Sequence, residues 1–302
     1  MNYHNPVLLQ ESVDALAIKE DGVYVDVTFG GGGHSREILK RLGKNGKLFA
    51  FDQDPDALEN VIDDERFVLI PENFRYISRF LRFHRIKKVD GILADLGVSS
   101  HQFDEAERGF STRFEGDLDM RMNQKSKISA KEVINNYSEE KLAEILFMYG
   151  ELRNSRNLAK TIVQEREAQK IDTSFQLKEV LKRYLPNAKE HKILAQIFQA
   201  IRIEVNEELE VLKEFLLQIP NLLKDEGRLS VISYHSLEDR LVKRFIHTGL
   251  FKGEPEKDVF GRSNEPLKRV GKLIIPTPEE IKVNNRARSA KLRIATLKNQ
   301  ND

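Results

Sequence analysis

Four consecutive glycines, Gly30-Gly31-Gly32-Gly33, follow directly on the apolar run Val23-Tyr24-Val25-Asp26-Val27-Thr28-Phe29. A helical pattern begins just after them, with Ile38, Leu39 and Leu42 about one turn apart. Strand, glycine turn and helix make the first unit of a nucleotide-binding α/β domain. Glycines at such a turn carry no Cβ, so the backbone can reverse sharply and a ligand can lie against it. The spacing also narrows the ligand. A dinucleotide fingerprint needs G-x-G-x-x-G, but Ser35 and Arg36 stand where the third glycine would fall. The phosphate loop G-x-x-x-x-G-K-[ST] is missing as well. A nucleoside without phosphates, such as S-adenosylmethionine, fits at least as well as a dinucleotide.

The chain has no cysteine, which removes disulfides, thiolate metal sites and cysteine nucleophiles together. No apolar run approaches the roughly 20 residues of a membrane span. The segment Met1-Asn2-Tyr3-His4-Asn5-Pro6 lacks a basic region followed by an apolar one, so no secretory leader is expected and the protein reads as cytoplasmic. Net charge is only +1, but its distribution is uneven. From Arg240 to Asp302 there are 15 Lys and Arg against 7 Asp and Glu, an excess of eight. Such a basic tail suits a nucleic acid as well as it suits solvent.

Further strands are expected at residues 47–52, 66–70, 89–95 and 228–233. Asp52 ends the second, about 20 residues past the glycines, where a doubly wound domain sets a carboxylate on its ligand's ribose hydroxyls. Asp54-Pro55 instead reads as a helix cap with proline in the first turn. Phe74 follows the third strand, where it could cover an adenine, although its spacing with Ile77 and Leu81 favours a core role. Asp95 ends the fourth strand and leads into Leu96-Gly97-Val98-Ser99-Ser100-His101-Gln102, read as a loop at the reacting end of the crevice. His235 follows the fifth strand, with Ser236 and Asp239 expected to cap the next helix.

Residues 110–200 carry helical periodicity and no strand signal. They read as a helical insertion between two core segments, 1–109 and 201–302. Ser138 and Thr173 are expected caps, the latter with Gln176 in a capping box. Gln199, Arg202 and Asn206 form a polar stripe on one helix face, most simply a buried network. Gly227 is expected to close the helix before the fifth strand. Beyond a loop-rich stretch around Gly253, Pro255, Gly261 and Pro266, closing strands are expected at 272–275 and 291–297.

Taken together, these segments resemble the bacterial 16S ribosomal RNA cytosine N4-methyltransferases of the MraW/RsmH type. The resemblance is carried by Asp26-Val27-Thr28-Phe29-Gly30-Gly31-Gly32-Gly33-His34-Ser35, Asp95-Leu96-Gly97-Val98-Ser99-Ser100, Leu118-Asp119-Met120-Arg121-Met122, Ser233-Tyr234-His235-Ser236-Leu237-Glu238-Asp239-Arg240 and Arg286-Ala287-Arg288-Ser289, in order. Asp117, Leu152 and Asn285 depart from the pattern at single positions. The resemblance implies a class I S-adenosylmethionine-dependent methyltransferase, a Rossmann-like doubly wound sheet with an inserted helical domain for RNA recognition. Cofactor contacts carried over by position are Gly32, Gly33, His34, Asp52, Phe74, Asp95 and Gln102. No metal is implied. The implied substrate is a cytosine in the decoding region of 16S ribosomal RNA, within the small subunit, and a homodimer is compatible. Asp95 is the first candidate to accept the N4 proton and His235 the second. An RNA-binding assembly factor on an inactive methyltransferase fold is the competing reading.

Overall fold

The computed structural model describes residues 6–256 and 265–298. The leader reading at residues 1–5 and the loop around Gly261 lie outside the described residues.

Seven strands form one sheet: β1 (Val23–Asp26), β2 (Lys47–Phe51), β3 (Phe67–Ile70), β4 (Val89–Asp95), β5 (Leu223–Ser233), β6 (Leu267–Arg269) and β7 (Lys291–Leu297). Their order is β3-β2-β1-β4-β5-β7-β6. The first five are parallel, and β7 runs antiparallel between β5 and β6. The sheet is covered on both faces, so its strands read as near-continuous apolar runs. Alternate residues still divide between two cores. Val25, Phe49, Phe51 and Ile92 enter one with Phe215 and Phe245, while Tyr24, Leu48, Ala50 and Leu93 enter the other with Ile38.

The helices, in chain order, are α1 (Leu9–Asp14), α2 (Gly33–Arg41), α3 (Ile77–Phe83), α4 (Ser100–Asp104), α5 (Ala130–Asn136), α6 (Glu139–Met148), α7 (Ser155–Ala168), α8 (Ser174–Leu181), α9 (Glu190–Asn206), α10 (Glu208–Leu222), α11 (Ser236–Thr248) and α12 (Pro278–Val283). Among the described residues no helix is long and apolar enough to cross a membrane.

Two compact units result. One comprises the sheet with residues 6–97 and 209–298, and the other is Val98–Glu208. The second unit has its own core, including Leu118, Leu142, Ile145, Leu158, Ile162 and Leu177. It begins earlier and ends later than the helical periodicity of 110–200 alone indicates. The short α4 carries too little apolar pattern to be read as a helix, and α9 runs through residue 200 to Asn206 without a break. Within this unit the expected caps form: Ser138 accepts from the Lys141 N–H, and Thr173 forms a capping box with Gln176. The polar stripe of α9 is a half-buried network. Arg202 holds Glu208 through two hydrogen bonds of 2.8 and 2.9 Å. Asn206 accepts from the Met122 N–H and donates to the Met120 carbonyl, both at 2.7 Å, and Gln199 donates to the Tyr149 carbonyl.

Four local expectations change. The helix before β5 ends at Leu222, ahead of Gly227, because β5 already pairs with β4 at Leu223. Residues 272–275 contribute only an isolated bridge from Ile274 to Leu292, and the edge strand is instead Leu267–Arg269. The cap of α11 is His235, not Ser236, with Glu238 in the position reserved for Asp239. Ser99 caps α4 inside what reads as a loop.

Candidate active site

In an open α/β sheet the ligand crevice lies outside the carboxyl ends of the strands, where the strand order reverses. That point falls between β1 and β4, and three carboxylates ring it: Asp26 ends β1, Asp52 follows β2, and Asp95 ends β4. The chain stays tied to the sheet just past β1, as Val27 donates to the Leu93 carbonyl and Phe29 to that of Phe51. The glycine loop then turns into α2. Gly32, the N-cap, has φ of 74°, and a Cβ there would sit 2.8 Å from the Phe29 ring. A Cβ on Gly33 would run into the Pro6 ring. Both glycines are therefore required by the protein's own packing, a constraint that glycine spacing alone does not reveal.

Asp52 is clamped by backbone. Its Oδ2 accepts from the Gly30 N–H at 2.7 Å and its Oδ1 from the Asp54 N–H at 2.9 Å. Burial pushes its carboxyl up to about 6, against the pull of those two N–H groups. Asp54 accepts from the Asp56 N–H ahead of a helical turn begun by Pro55, so it is the cap its sequence suggests. Asp26, fully buried, accepts from the Ser35 hydroxyl at 2.7 Å and from the Thr28 N–H at 3.1 Å. Burial raises its carboxyl also, with His34 the main opposing influence.

Asp95 is the centre of the other cluster. Its N–H donates to the Thr28 hydroxyl at 2.7 Å, and its Oδ1 accepts from the Tyr234 hydroxyl at 2.7 Å. His34 Nδ1 lies 3.8 Å from Oδ2, while His34 Nε2 lies 3.2 Å from the Val7 carbonyl. An imidazole donating from Nε2 to the Val7 carbonyl sets its other nitrogen on the side of the Asp95 carboxylate. Burial pushes the Asp95 carboxyl up to about 6, with His34 and the Tyr234 hydrogen bond drawing it back down. The Tyr234 hydroxyl is itself driven well above the usual tyrosine range by burial and by Asp95. It remains a donor.

The remaining sequence candidates fall in different settings. Phe74 is half-buried and packs edge-on against Phe215, with ring centroids 5.2 Å apart, on the core beside α10. His235 caps α11: its Nδ1 accepts from the Glu238 N–H at 3.4 Å, and its Nε2 lies 3.1 Å from Glu238 Oε1. Glu238 also takes the Tyr234 N–H at 2.9 Å. Gln102 belongs to the other compact unit, buried, with its carbonyl oxygen accepting from the Ser99 N–H at 3.0 Å. The strand ends thus bring together Gly32, Gly33, His34, Asp52 and Asp95. Tyr234 and Asp26 are the participants that residue-by-residue reading passes over. Tyr234 could have been found from its place directly after β5, the strand beside Asp95.

The MraW methylase family model matches residues 1–298. The Ribosomal RNA small subunit methyltransferase H of Christiangramia forsetii is 68% identical over 295 residues, 98% of each chain. That of Flavobacterium johnsoniae is also 68% identical over 295 residues, 98% of each chain. One from Bacteroides fragilis is 57% identical over 297 residues, again 98% of each. With a match along nearly its whole length, the chain belongs to the MraW methylase family and is a methyltransferase of the Rossmann-like class I fold.

Proposed function

We propose that this chain methylates the exocyclic N4 of a cytosine in the decoding region of 16S ribosomal RNA, within the small subunit, with S-adenosylmethionine as methyl donor. The donor set of the crevice fits that cofactor. Each Asp52 oxygen gives one lone pair to its own backbone and keeps another for a neighbouring hydroxyl. Vicinal ribose hydroxyls match that pair. Gly32, Gly33 and His34 would hold the amino-acid end beside Asp95, and Phe74 and Gln102 are carried over by position as further contacts. The cofactor, when bound, supplies an electrophilic methyl group on a sulfonium.

The observation that carries the reading is Asp95, whose carboxylate accepts from Tyr234 with His34 Nδ1 beside it, and whose pKa is raised toward neutrality. Cytosine N4 is a weak nucleophile because its lone pair is delocalised into the ring. Asp95 accepts a hydrogen bond from N4–H and takes the proton as the amine becomes substituted. Tyr234 holds Asp95 in place, with His34 Nδ1 beside its other oxygen. In-line placement supplies much of the remaining rate. Methylation at C5 would commonly use a cysteine nucleophile, and the chain has none. His235 is the second candidate for the proton. Its engagement as a helix cap with Glu238 favours a structural role.

The helical unit and the Arg286-Ala287-Arg288 turn are our candidates for holding RNA. Lys291, in the same basic segment, is already shared with Asp239 at 3.2 Å. The test is methyl transfer from labelled S-adenosylmethionine to small subunits lacking this modification, followed by digestion to nucleosides. A labelled N4-methylcytidine peak is expected. No label, with cofactor binding intact, would favour an assembly factor on a methyltransferase fold.

A further inference from the structure

Helix α11 leaves the crevice directly after Tyr234 and His235. Ser236, Arg240, Lys243 and His247 are spaced by four, three and four residues, so they share one face, and all four are exposed. The two acids of the same helix are already engaged. Glu238 is buried against the backbone N–H groups of Tyr234 and His235, and Asp239 is engaged by Lys291 and Arg293. The apolar side, with Val242, Phe245 and Ile246, lies in the core. The outward face is therefore cationic and polar, with the helix's acids buried against backbone or already paired.

That face continues past the helix. Lys243, His247, Arg269 and Lys272 border one shallow cleft floored by Ile246 and Ile294. Arg269 donates to the Gly271 carbonyl. Among the described residues no carboxylate lies within ion-pair distance of Lys243, Arg269 or Lys272. Lys243, Arg269 and Lys272 gathered at one cleft raise the local potential, and a polyanion relieves it. From Ser236 to His247 the stripe spans about 16 Å at the helical rise of about 1.5 Å per residue.

We infer that the outer face of α11, with Arg269 and Lys272, is a track for the phosphodiester backbone of the RNA whose target base enters the crevice. The inference rests on the RNA-methylating reading above and extends it, assigning backbone positioning to residues outside the 286–291 turn. Phosphate contacts of this kind fix register and carry no base specificity.

The test is the triple substitution Lys243→Gln, Arg269→Gln, Lys272→Gln, with a decoding-region RNA transcript as probe and affinity measured between about 50 and 200 mM salt. Loss of three single-strand phosphate contacts flattens the slope of log affinity against log salt by about 2. Affinity at the lowest salt is expected to fall at least about tenfold, while cofactor affinity and melting temperature hold. Lys243→Arg with Lys272→Arg should retain the wild-type slope, and Lys40→Gln, on α2, should not change it. If wild-type protein methylates and binds the RNA but the triple variant keeps the wild-type slope, the track is overturned and the enzymatic reading stands. If Lys40→Gln flattens the slope as much as the triple variant does, the track is again overturned. Wild-type protein that neither binds nor methylates RNA overturns the reading and the track together.

Discussion

The Tyr234 hydroxyl donates to Asp95 Oδ1 at 2.7 Å, joining the residue just past β5 to the last residue of β4. Asp95 is in register with Ile232, so the bond reaches diagonally across two adjacent parallel strands as they leave the sheet. A hydrogen bond to a carboxylate favours its charged form. Tyr234→Phe should therefore raise the Asp95 pKa beyond about 6. If Asp95 must be ionised to accept the N4 proton, the acid limb of the rate profile rises through about pH 6 in the wild type and moves to higher pH in the variant. Activity at neutral pH should fall by roughly tenfold, in kcat more than in KM for the cofactor. An acid limb left unmoved would remove Tyr234 from the positioning of Asp95.

Asp95→Asn should separate catalysis from stability. The folded pKa of Asp95, about 6, lies above its ordinary value of 3.8. Between those values the folded state binds more protons than the unfolded state, so this residue's contribution falls as pH rises through that window. An asparagine never ionises and can still accept from Tyr234. Above pH 6 the variant should be more stable than wild type by about 3 kcal/mol at most, with no advantage below about pH 4. Thermal melts at the two extremes check this, and the variant should lose nearly all methyl transfer.

Gly33→Ala drives a methyl group into Pro6. The segment bearing Pro6 and Val7 then has to shift, and Val7 is the residue whose carbonyl meets His34. Cofactor affinity should drop several-fold or more. Pro6→Gly in the same chain should recover most of it, which calorimetric titration of the double variant would measure. No recovery would mean that the ligand itself needs the space at Gly33.

Asp52→Asn replaces one of two accepting oxygens with a donor that faces a backbone N–H, at either Gly30 or Asp54. The glycine loop loses an anchor worth about 1–3 kcal/mol. On the proposed reading the cofactor's ribose loses one acceptor too. Cofactor affinity should fall by about ten- to a hundredfold, read by the same titration, and Asp52→Ala should be worse.

Arg202→Ala tests the helical unit alone. Glu208 is 9% exposed and held by both Arg202 bonds. Removing the guanidinium leaves a buried carboxylate without its charge partner, at a cost of about 3–5 kcal/mol. Amide exchange should accelerate across α9 and the segment around Met120 and Met122 that Asn206 pins. Arg202→Lys, with one point charge in place of a fork, should restore little.

What could be read in advance was local. The β1–glycine–α2 unit, Asp52 past β2, the Asp54-Pro55 turn and the caps at Ser138 and Thr173 each depend on neighbours within a few residues, and each forms as its residues suggest. What could not be read depends on strand neighbours distant in sequence. The Tyr234–Asp95 bond exists because β4 and β5 are adjacent, although a whole helical unit separates them along the chain. The edge strand β6 is three residues long with two exposed cations, a pattern that protects an edge and hides its period. Histidine is uncommon as a cap, so Ser236 looked the better choice for α11. Gly33 is a glycine because of Pro6, a contact that motif spacing does not encode.

The whole of Val98–Glu208 occupies one connection between adjacent, paired strands, with α10 alone packed on the sheet as the return helix. Closing a longer loop costs only about 0.6 kcal/mol per doubling of its length, so the sheet gains or loses little from what the connection contains. The content of that connection can therefore vary at little cost to the pairing of β4 with β5.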